Sequence, residues 1–355
     1  MHAAAIDLFC GIGGLTKGLS LAGIDVLAGF DNDPSCRFAY EANNKATFIC
    51  SDISTLSARD ITNLYPKDSI TILAGCAPCQ PFSRYSSKYR KDGWKDGKWK
   101  LLYSFSRLIK ESSPDVIVME NVPNLAKQKV FLDFLYSLTE AGFYKPFAQV
   151  IHCPEYGIPQ TRDRLIVLAS RHGEISLIPP FFSESNYRTV RMAIGGLDPI
   201  AAGETSPIDP LHSARSLSNK NIERIQQSRP GGTWRDWDNR LILKCHQKQS
   251  GRTYASVYGR MEWDKPSPTI TTQFYGYGNG RFGHPEQDRA LSFREGAILQ
   301  SFPEDYIFID KDHPINTREL GIHIGNAVPV EIGHVIGISI IKHIEGISRR
   351  EVHNG

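Results

Sequence analysis

A short apolar run followed by a glycine turn opens the chain and limits the folds that it can adopt. The run Ala3–Phe9 is typical of a buried strand, Cys10–Gly14 of a tight turn, and Leu15–Gly23 of an amphipathic helix. A second apolar run, 24–30, ends at an acidic cluster that begins with Asp31. This order predicts a parallel α/β unit whose turn presents backbone N–H groups to a ligand at the helix start.

The residues after this turn narrow the choice of its ligand. A dinucleotide site would favour a third glycine where the chain has Thr16, which weakens a nicotinamide cofactor as the interpretation. Asp31 and Asp52 both come directly after predicted strands, and acidic side chains there can bind ribose hydroxyls. Asp52 could instead cap a helix that begins near Ser54.

A further apolar run, 70–74, leads into a stiff loop that carries a thiol. Cys79 lies between Pro78 and Pro81, and the two prolines restrict the backbone around it. A thiol held in this way suits a nucleophile. Three other interpretations stay open: a buried core cysteine, a redox pair with Cys76, and half of a zinc site without a second cysteine pair at ligand spacing.

Polar residues near two further predicted strands are candidate catalytic groups. Glu120 comes after the apolar run 114–119, so we expect a carboxyl group at the same sheet edge that can hold a proton. Arg162 and Arg164 precede the run 165–169 and, in an extended segment, would point the same way to grip a carbonyl, a phosphate or Glu120. Helix capping and surface pairing are the alternatives.

Two basic segments contain interleaved aromatic residues. The segment 84–100 has seven cations against two acids, and the segment 215–252 has nine cations against three acids with Trp234 and Trp237 inside. A charge run is usually only a solvated face. Next to a nucleophile, however, the first segment suits a closing lid and the second a reader of nucleic acid grooves.

Length and composition bound the remaining possibilities. The chain has 355 residues, seven scattered cysteines and a net charge of +3, which favour a cytoplasmic globular protein of two domains without a disulfide framework. The start lacks a basic leader and no apolar run predicts a membrane span.

Regular alternation of strands and helices stops in the loop-rich stretch 178–210, which suggests a domain boundary. The segments 144–152 and 266–272 are further predicted strands. Ser292 and Glu295 predict a capping box at the start of a late helix.

Six segments in order resemble the C5-cytosine-specific DNA methyltransferase family, over nearly the whole chain. They are Asp7–Gly14, Pro78–Gln80, Glu120–Val122, Gln160–Arg164, Lys265–Thr271 and Gly325–Pro329. The resemblance implies an α/β fold: a Rossmann-like sheet that binds S-adenosylmethionine, with an inserted smaller target-recognition domain. The expected bounds are 1–180 plus 318–355 for the catalytic domain, 181–290 for target recognition and 291–317 for a hinge region.

The resemblance also implies roles for individual residues. Cys79 matches the nucleophile, Glu120 the residue that contacts the cytosine ring, and Arg164, with Arg162, the supporting arginines. The implied cofactor positions are Phe9, Gly11, Gly13, Asp31, Asn32, Asp52, Ile53, Pro78, Leu101 and Asn326. The expected DNA contacts are Gln80, Ser83, Arg84, Lys88 and Arg90 in the first basic segment, and Arg229, Arg235, Arg240 and Arg252 in the second.

The function predicted from this pattern is methyl transfer from S-adenosylmethionine to C5 of a flipped cytosine in a specific duplex DNA sequence. A covalent bond from Cys79 to C6 makes C5 nucleophilic, and S-adenosylhomocysteine is the other product. We expect no metal, no membrane, no obligatory protein partner and a monomer on DNA, in a bacterial restriction-modification system. The alternatives are an RNA cytosine-5 methyltransferase and a Cys76–Cys79 redox protein.

Overall fold

The structure is a computed structural model that describes residues 2–78, 100–312 and 316–354, with side chains of the last helix described through Arg349. The chain divides into two compact units. The first comprises 1–152, 163–180 and 328–355, and the second comprises 153–162 and 181–327. The expected catalytic domain therefore differs in its bounds from the first unit, since 153–162 and 318–327 belong to the second.

A seven-stranded sheet forms the centre of the first unit, in the order β3-β2-β1-β4-β5-β8-β6. Its strands are parallel except β8, which runs antiparallel to both of its neighbours. The strands are β1 (Ala3–Leu8), β2 (Asp25–Asp31), β3 (Thr47–Cys50), β4 (Ile70–Gly75), β5 (Val116–Asn121), β6 (Tyr144–His152) and β8 (Asp163–Ser170). The mostly parallel α/β sheet that the sequence predicts is thus confirmed.

Helices cover this sheet because their apolar stripes need a partner surface. They are α1 (Gly14–Leu21), α2 (Arg37–Asn43), α3 (Ala58–Thr62), α4 (Lys100–Ser112), α5 (Lys129–Glu140) and α11 (Val330–Asn354). Helices α4 and α5 pack together through Phe105 and Phe134, whose stacked rings are 5.8 Å apart. Both rings belong to a core cluster that also contains Ile6, Leu73 and Met119 from the central strands.

The last helix packs against the first one. A Cβ added at Gly18 of α1 would lie 2.3 Å from the backbone oxygen of Val330, so only glycine permits this approach of the two backbones. Among the described residues, the helical stretch Thr317–Arg349 is apolar enough by composition to cross a membrane, but 67% of its most apolar window is buried inside the fold. Buried core helices meet the same criterion.

The second unit contains little regular structure. Its elements are the two-residue strands β7 (Gln160–Thr161) and β9 (Ser267–Pro268), which pair in parallel, and the helices α6 (Val190–Ile194), α7 (Asn219–Gln227), α8 (Lys244–Gln247), α9 (Phe293–Leu299) and α10 (Thr317–Asn326). The predicted strand 266–272 is therefore wrong in length. Pro266 and Pro268 lack the N–H groups that a longer ladder requires. The predicted capping box of Ser292 and Glu295 is confirmed at the start of α9.

A buried ion pair replaces regular structure as the organising contact in part of this unit. Arg289 Nη1 donates a hydrogen bond to Glu295 Oε2 and Arg289 Nη2 donates one to Oε1, both at 2.7 Å. Both side chains are 1% exposed. Burial opposes ionisation, but the hydrogen bonds and positive charge of Arg289 lower the pKa of Glu295. Nearby, burial lowers the pKa of His284 to about 4, so this imidazole is neutral at physiological pH.

Candidate active site

The glycine turn between β1 and α1 adopts a backbone that favours glycine. Gly11 and Gly13 have φ of +50° and +87°, and Phe9, which precedes them, has φ of +59°. The amide of Cys10 donates to the carbonyl of Phe30 at 3.1 Å, which joins the turn to β2. A Cβ at Gly11 would meet nothing within 4 Å, so the turn borders open space. Helix α1 begins at Gly14 without a side-chain cap.

The carboxylate of Asp31 is held in place at the end of β2. Its Oδ2 accepts a hydrogen bond from the Gly11 amide at 2.9 Å, and its Oδ1 accepts one from the Asp33 amide at 3.0 Å. One strand further, Asp52 is exposed and accepts the Ser54 amide at 2.8 Å in a turn, while helix α3 begins only at Ala58. Asp52 therefore caps a turn rather than the helix that the sequence suggested.

The remaining cofactor candidates in the first unit differ in exposure. Ile53 is buried, Asn32 is exposed, and Leu101 in the first turn of α4 is half-buried. Asn326, the last residue of α10, is exposed and belongs to the second unit. Its cofactor role stays a prediction.

Asp7 is a buried carboxyl group that the sequence analysis did not select. It is 1% exposed, its Oδ2 accepts a hydrogen bond from Thr16 Oγ1 at 2.7 Å, and its Oδ1 has no hydrogen-bond partner among the described residues. Burial raises the pKa of Asp7 to about 7, and the negative charge of Asp31 adds to this effect. The sequence signal that could have identified Asp7 is its position as an acidic residue inside an otherwise apolar strand.

Cys10, the cysteine within the glycine turn, is not a candidate nucleophile. Burial, with the negative charges of Asp7 and Asp31, raises the pKa of its thiol well above the usual value. A thiol of raised pKa stays protonated and unreactive.

Glu120 and Arg164 form an ion pair at the edge of the central sheet. Arg164 Nε lies 2.7 Å from Glu120 Oε1, and the two side chains are 11% and 4% exposed. Strand β5 carries Glu120 as its last residue but one, and β8 runs antiparallel beside it, with Glu120 level with Ile166. Arg164 Nη1 also donates to the Asp163 carbonyl at 2.7 Å. Of the three groups that the sequence offered to these arginines, a carbonyl, a phosphate or Glu120, Arg164 contacts Glu120.

Arg162 is held in a different place from Arg164. It is 4% exposed within the second unit, where its Nη1 donates to Gln160 Oε1 at 3.3 Å and to the Ile270 carbonyl at 3.1 Å. The chain leaves β7 at Thr161 and enters β8 at Asp163, so the two arginines do not share one continuous strand. The expectation that they act on the same group is not met by these contacts, which hold loops of the second unit together.

The segment that leads to Cys79 is anchored to both neighbouring strands. Beyond the end of β4, the Cys76 amide donates to the Leu8 carbonyl at 3.2 Å, and Asn121 Nδ2 donates to the Ala77 carbonyl at 3.0 Å. The Cys76 thiol donates to Glu120 Oε2 at 2.8 Å. Pro78 is half-buried at the end of this segment. The predicted nucleophile Cys79, and the predicted DNA contacts Gln80, Ser83, Arg84, Lys88 and Arg90, lie outside the described residues.

The four arginines predicted to contact DNA in the second unit differ in their charge environment. Arg240 is paired with Glu223 at 3.6 Å and with Asp238 at 3.3 Å. Within the part of the chain that is described, Arg229, Arg235 and Arg252 have no acidic partner, and each is exposed. Their positive charge is therefore uncompensated.

A cleft of about 470 Å³ adjoins two of these arginines. It is lined by Trp234, Arg235, Ile242, His246, Gln247 and Arg252. The Trp234 and His246 rings stack at 4.5 Å, and the Arg235 guanidinium lies 5.3 Å over the Trp234 ring. Burial lowers the pKa of His246, with a smaller effect from Arg224, so its ring is neutral. The cleft is a basic and aromatic surface.

The strand order of the seven-stranded sheet defines this chain as an α/β protein with a Rossmann-like fold. Solved structures share the fold: EhMeth, a methyltransferase of Entamoeba histolytica, has a TM-score of 0.66 and 16% identity over 97% of this chain and 99% of its own. A DNMT2 mutant of Spodoptera frugiperda has a TM-score of 0.66 and 15% identity over 95% and 99%.

Sequence comparison identifies the family. Residues 3–342 match the family model of the C-5 cytosine-specific DNA methylases, and the chain belongs to that family. The type II methylase M.HgiDII of Herpetosiphon aurantiacus is 52% identical over 99% of this chain and 98% of its own length. The type II methyltransferase M1.HphI of Haemophilus parahaemolyticus is 30% identical over 96% and 87%. The resemblance inferred from six motifs is confirmed, and the chain is a DNA (cytosine-5-)-methyltransferase of restriction-modification type.

Proposed function

We propose that this enzyme methylates C5 of a flipped cytosine in a specific duplex DNA sequence through a covalent bond between Cys79 and C6. The ion pair of Glu120 and Arg164 is the observation that carries the proposal. It places an acid and a guanidinium beside β4, the strand that leads through Pro78 to Cys79. A nucleophile, an acid and a cation at one sheet edge are what addition to a cytosine ring requires.

The proposed chemistry begins with addition of the Cys79 thiolate to C6. Cytosine C5 is a poor nucleophile until this addition converts the ring to an enamine, and Glu120, holding a proton, stabilises the product by donating that proton to N3. Arg164 holds Glu120 in place and binds the cytosine O2. After C5 has been methylated, loss of its proton and departure of the thiol restore the aromatic ring. Because C6 is inaccessible within a duplex, the base must be flipped out, at a cost of roughly a few kcal/mol.

Members of this family use S-adenosylmethionine as their methyl donor. The glycine turn fits this molecule, since open space lies above Gly11 and α1 begins without a side-chain cap that would compete for its N–H groups. Asp31 would accept the ribose hydroxyls with the lone pairs left by its two backbone hydrogen bonds. The other residues proposed to hold the cofactor are Phe9, Gly13, Asn32, Asp52, Ile53, Pro78, Leu101 and Asn326. The cofactor supplies an electrophilic methyl group.

The uncompensated arginines of the second unit support contact with DNA there. Arg235 is fixed against Trp234 and donates to the Arg252 carbonyl at 2.6 Å, so its remaining N–H groups are oriented in advance toward a phosphate or a guanine edge. Arg235→Gln and Arg252→Gln should each weaken binding and reduce the salt dependence of log Kd by about one counterion. Arg240→Gln is the matched control, because two carboxylates already neutralise Arg240, and a smaller loss is expected.

The decisive experiment compares wild type with Cys79→Ser. The variant should bind duplex DNA but lose transfer of labelled methyl groups, and only wild type should form a covalent complex with DNA that contains 5-fluorocytosine. Cys50→Ser, an exposed cysteine in the same unit, is the control and should retain activity. Full activity of Cys79→Ser would refute the mechanism, and faster methylation of RNA than of duplex DNA would refute the substrate.

A role as the modification enzyme of a restriction-modification system, acting in the bacterial cytoplasm on chromosomal DNA, is supported by the names of the type II relatives. Bisulfite sequencing of DNA from expressing cells should reveal 5-methylcytosine in one short motif. Methylation scattered over unrelated sequences would contradict this role.

A further inference from the structure

The thiol that precedes the predicted nucleophile contacts the predicted acid. Cys76 Sγ lies 2.8 Å from Glu120 Oε2, while Arg164 Nε lies 2.7 Å from Oε1 of the same carboxylate. Oε2 therefore accepts a hydrogen bond, whereas Oε1 is paired by charge and accepts no hydrogen bond from the described residues. The contact is a consequence of the sheet register. Gly75 at the end of β4 is level with Met119 of β5, so the residues that follow them, Cys76 and Glu120, lie side by side.

We propose that Cys76 is a positioning residue, which fixes the plane of the Glu120 carboxylate for its hydrogen bond to cytosine N3. This inference rests on the proposed function. Arg164 alone would leave the carboxyl group free to rotate about its last torsion, which is broad and roughly two-fold. The hydrogen bond from Cys76 to the other oxygen removes that freedom before the base arrives. The ordering cost is then not incurred during the reaction.

The hydrogen bond does not block the site. A carboxyl oxygen has two lone pairs, so Oε2 can accept the Cys76 thiol through one of them and share a proton with cytosine N3 through the other. The backbone of Cys76 is held independently, since its amide donates to the Leu8 carbonyl on the opposite side of β4 from Glu120. Replacement of the side chain should therefore leave the path of the loop unchanged.

Kinetics of full-length variants test this role. Cys76→Ala should lower kcat about 5- to 10-fold with unchanged DNA affinity, the loss expected for one hydrogen bond. Cys76→Ser should stay within about 2-fold of wild type, because a hydroxyl group donates to the same oxygen. In a Glu120→Ala background, the further change Cys76→Ala should leave the single-turnover rate unaltered, since no carboxyl group is present to orient. An unchanged kcat for Cys76→Ala, or a Cys76→Ser variant as slow as Cys76→Ala, overturns the proposal.

An infrared measurement decides the contact without relying on activity. The S–H stretching band that disappears in Cys76→Ala should shift to higher frequency in Glu120→Gln, because the thiol loses a charged acceptor. A band that does not shift overturns the proposal. If the band shifts but the wild-type enzyme methylates no cytosine, the proposed function fails while the orientation of Glu120 by Cys76 stands.

Discussion

Replacement of Asp7 by Asn should stabilise the first unit, and more so at high pH. The Asp7 carboxyl is buried beside the charge of Asp31, and hydrogen bonding from Thr16 does not compensate for burial. Its pKa of about 7 lies above the usual value of 3.8. The folded protein therefore binds a proton that the unfolded chain has already released, and wild-type stability falls as the pH rises from about 4 to about 7.

The size of the pKa shift of Asp7 sets how much stability the wild-type protein loses as the pH rises. Each unit of pKa corresponds to about 1.4 kcal/mol, so the penalty between pH 5 and pH 8 grows by about 2–3 kcal/mol. An asparagine carries no charge at either pH and can still accept the hydrogen bond of Thr16 through its amide oxygen. The stability gained by Asp7→Asn over wild type should consequently be larger at pH 8 than at pH 5 by that amount.

Hydrogen exchange measured by mass spectrometry suits this test, because peptides from β1 report the opening of the first unit separately from the second. Rates are corrected for the intrinsic pH dependence of exchange. Glu140→Gln is the control, because Glu140 is an exposed carboxylate at the end of α5, and it should leave the stability of the first unit unchanged at both pH 5 and pH 8. An Asp7→Asn effect of the same size at both pH values would refute the argument that Asp7 titrates near neutrality.

Two further substitutions test the packing of each unit. Glu295→Gln should destabilise the second unit by about 3–5 kcal/mol, because Arg289 would stay buried without its counterion, and thermal unfolding monitored by tryptophan fluorescence measures this loss. A loss below about 1 kcal/mol would contradict it. Gly18→Ala should cost at least about 1–3 kcal/mol in chemical denaturation because its Cβ would overlap Val330, whereas Gly346→Ala, with open space around it, should be neutral or stabilising. Equal effects would show that the helix contact is looser than described.

Local sequence patterns were sufficient to predict most of the secondary structure of the first unit. Apolar runs and glycine turns predicted the strands within one or two residues, as for 144–152, which matches β6. They failed in the second unit because arginine side chains there make the long-range contacts that strands make elsewhere. Arg260, for example, donates to the carbonyls of Ile225, Ser228 and His284. Such contacts have no period in the sequence, so apolar patterning could not predict them.

The site illustrates the same limit. Glu120 was predictable because it lies at the end of a buried strand, but its pairing with Arg164 depends on β8 entering the sheet antiparallel to β5. A parallel β8 would have carried Arg164, at the start of the strand, to the opposite edge from Glu120. The spacing of Arg162 and Arg164 gave no hint that the chain changes unit between them. The reversed strand is therefore what converts two distant residues into one acid and guanidinium pair, and its register decides which of the two arginines reaches Glu120.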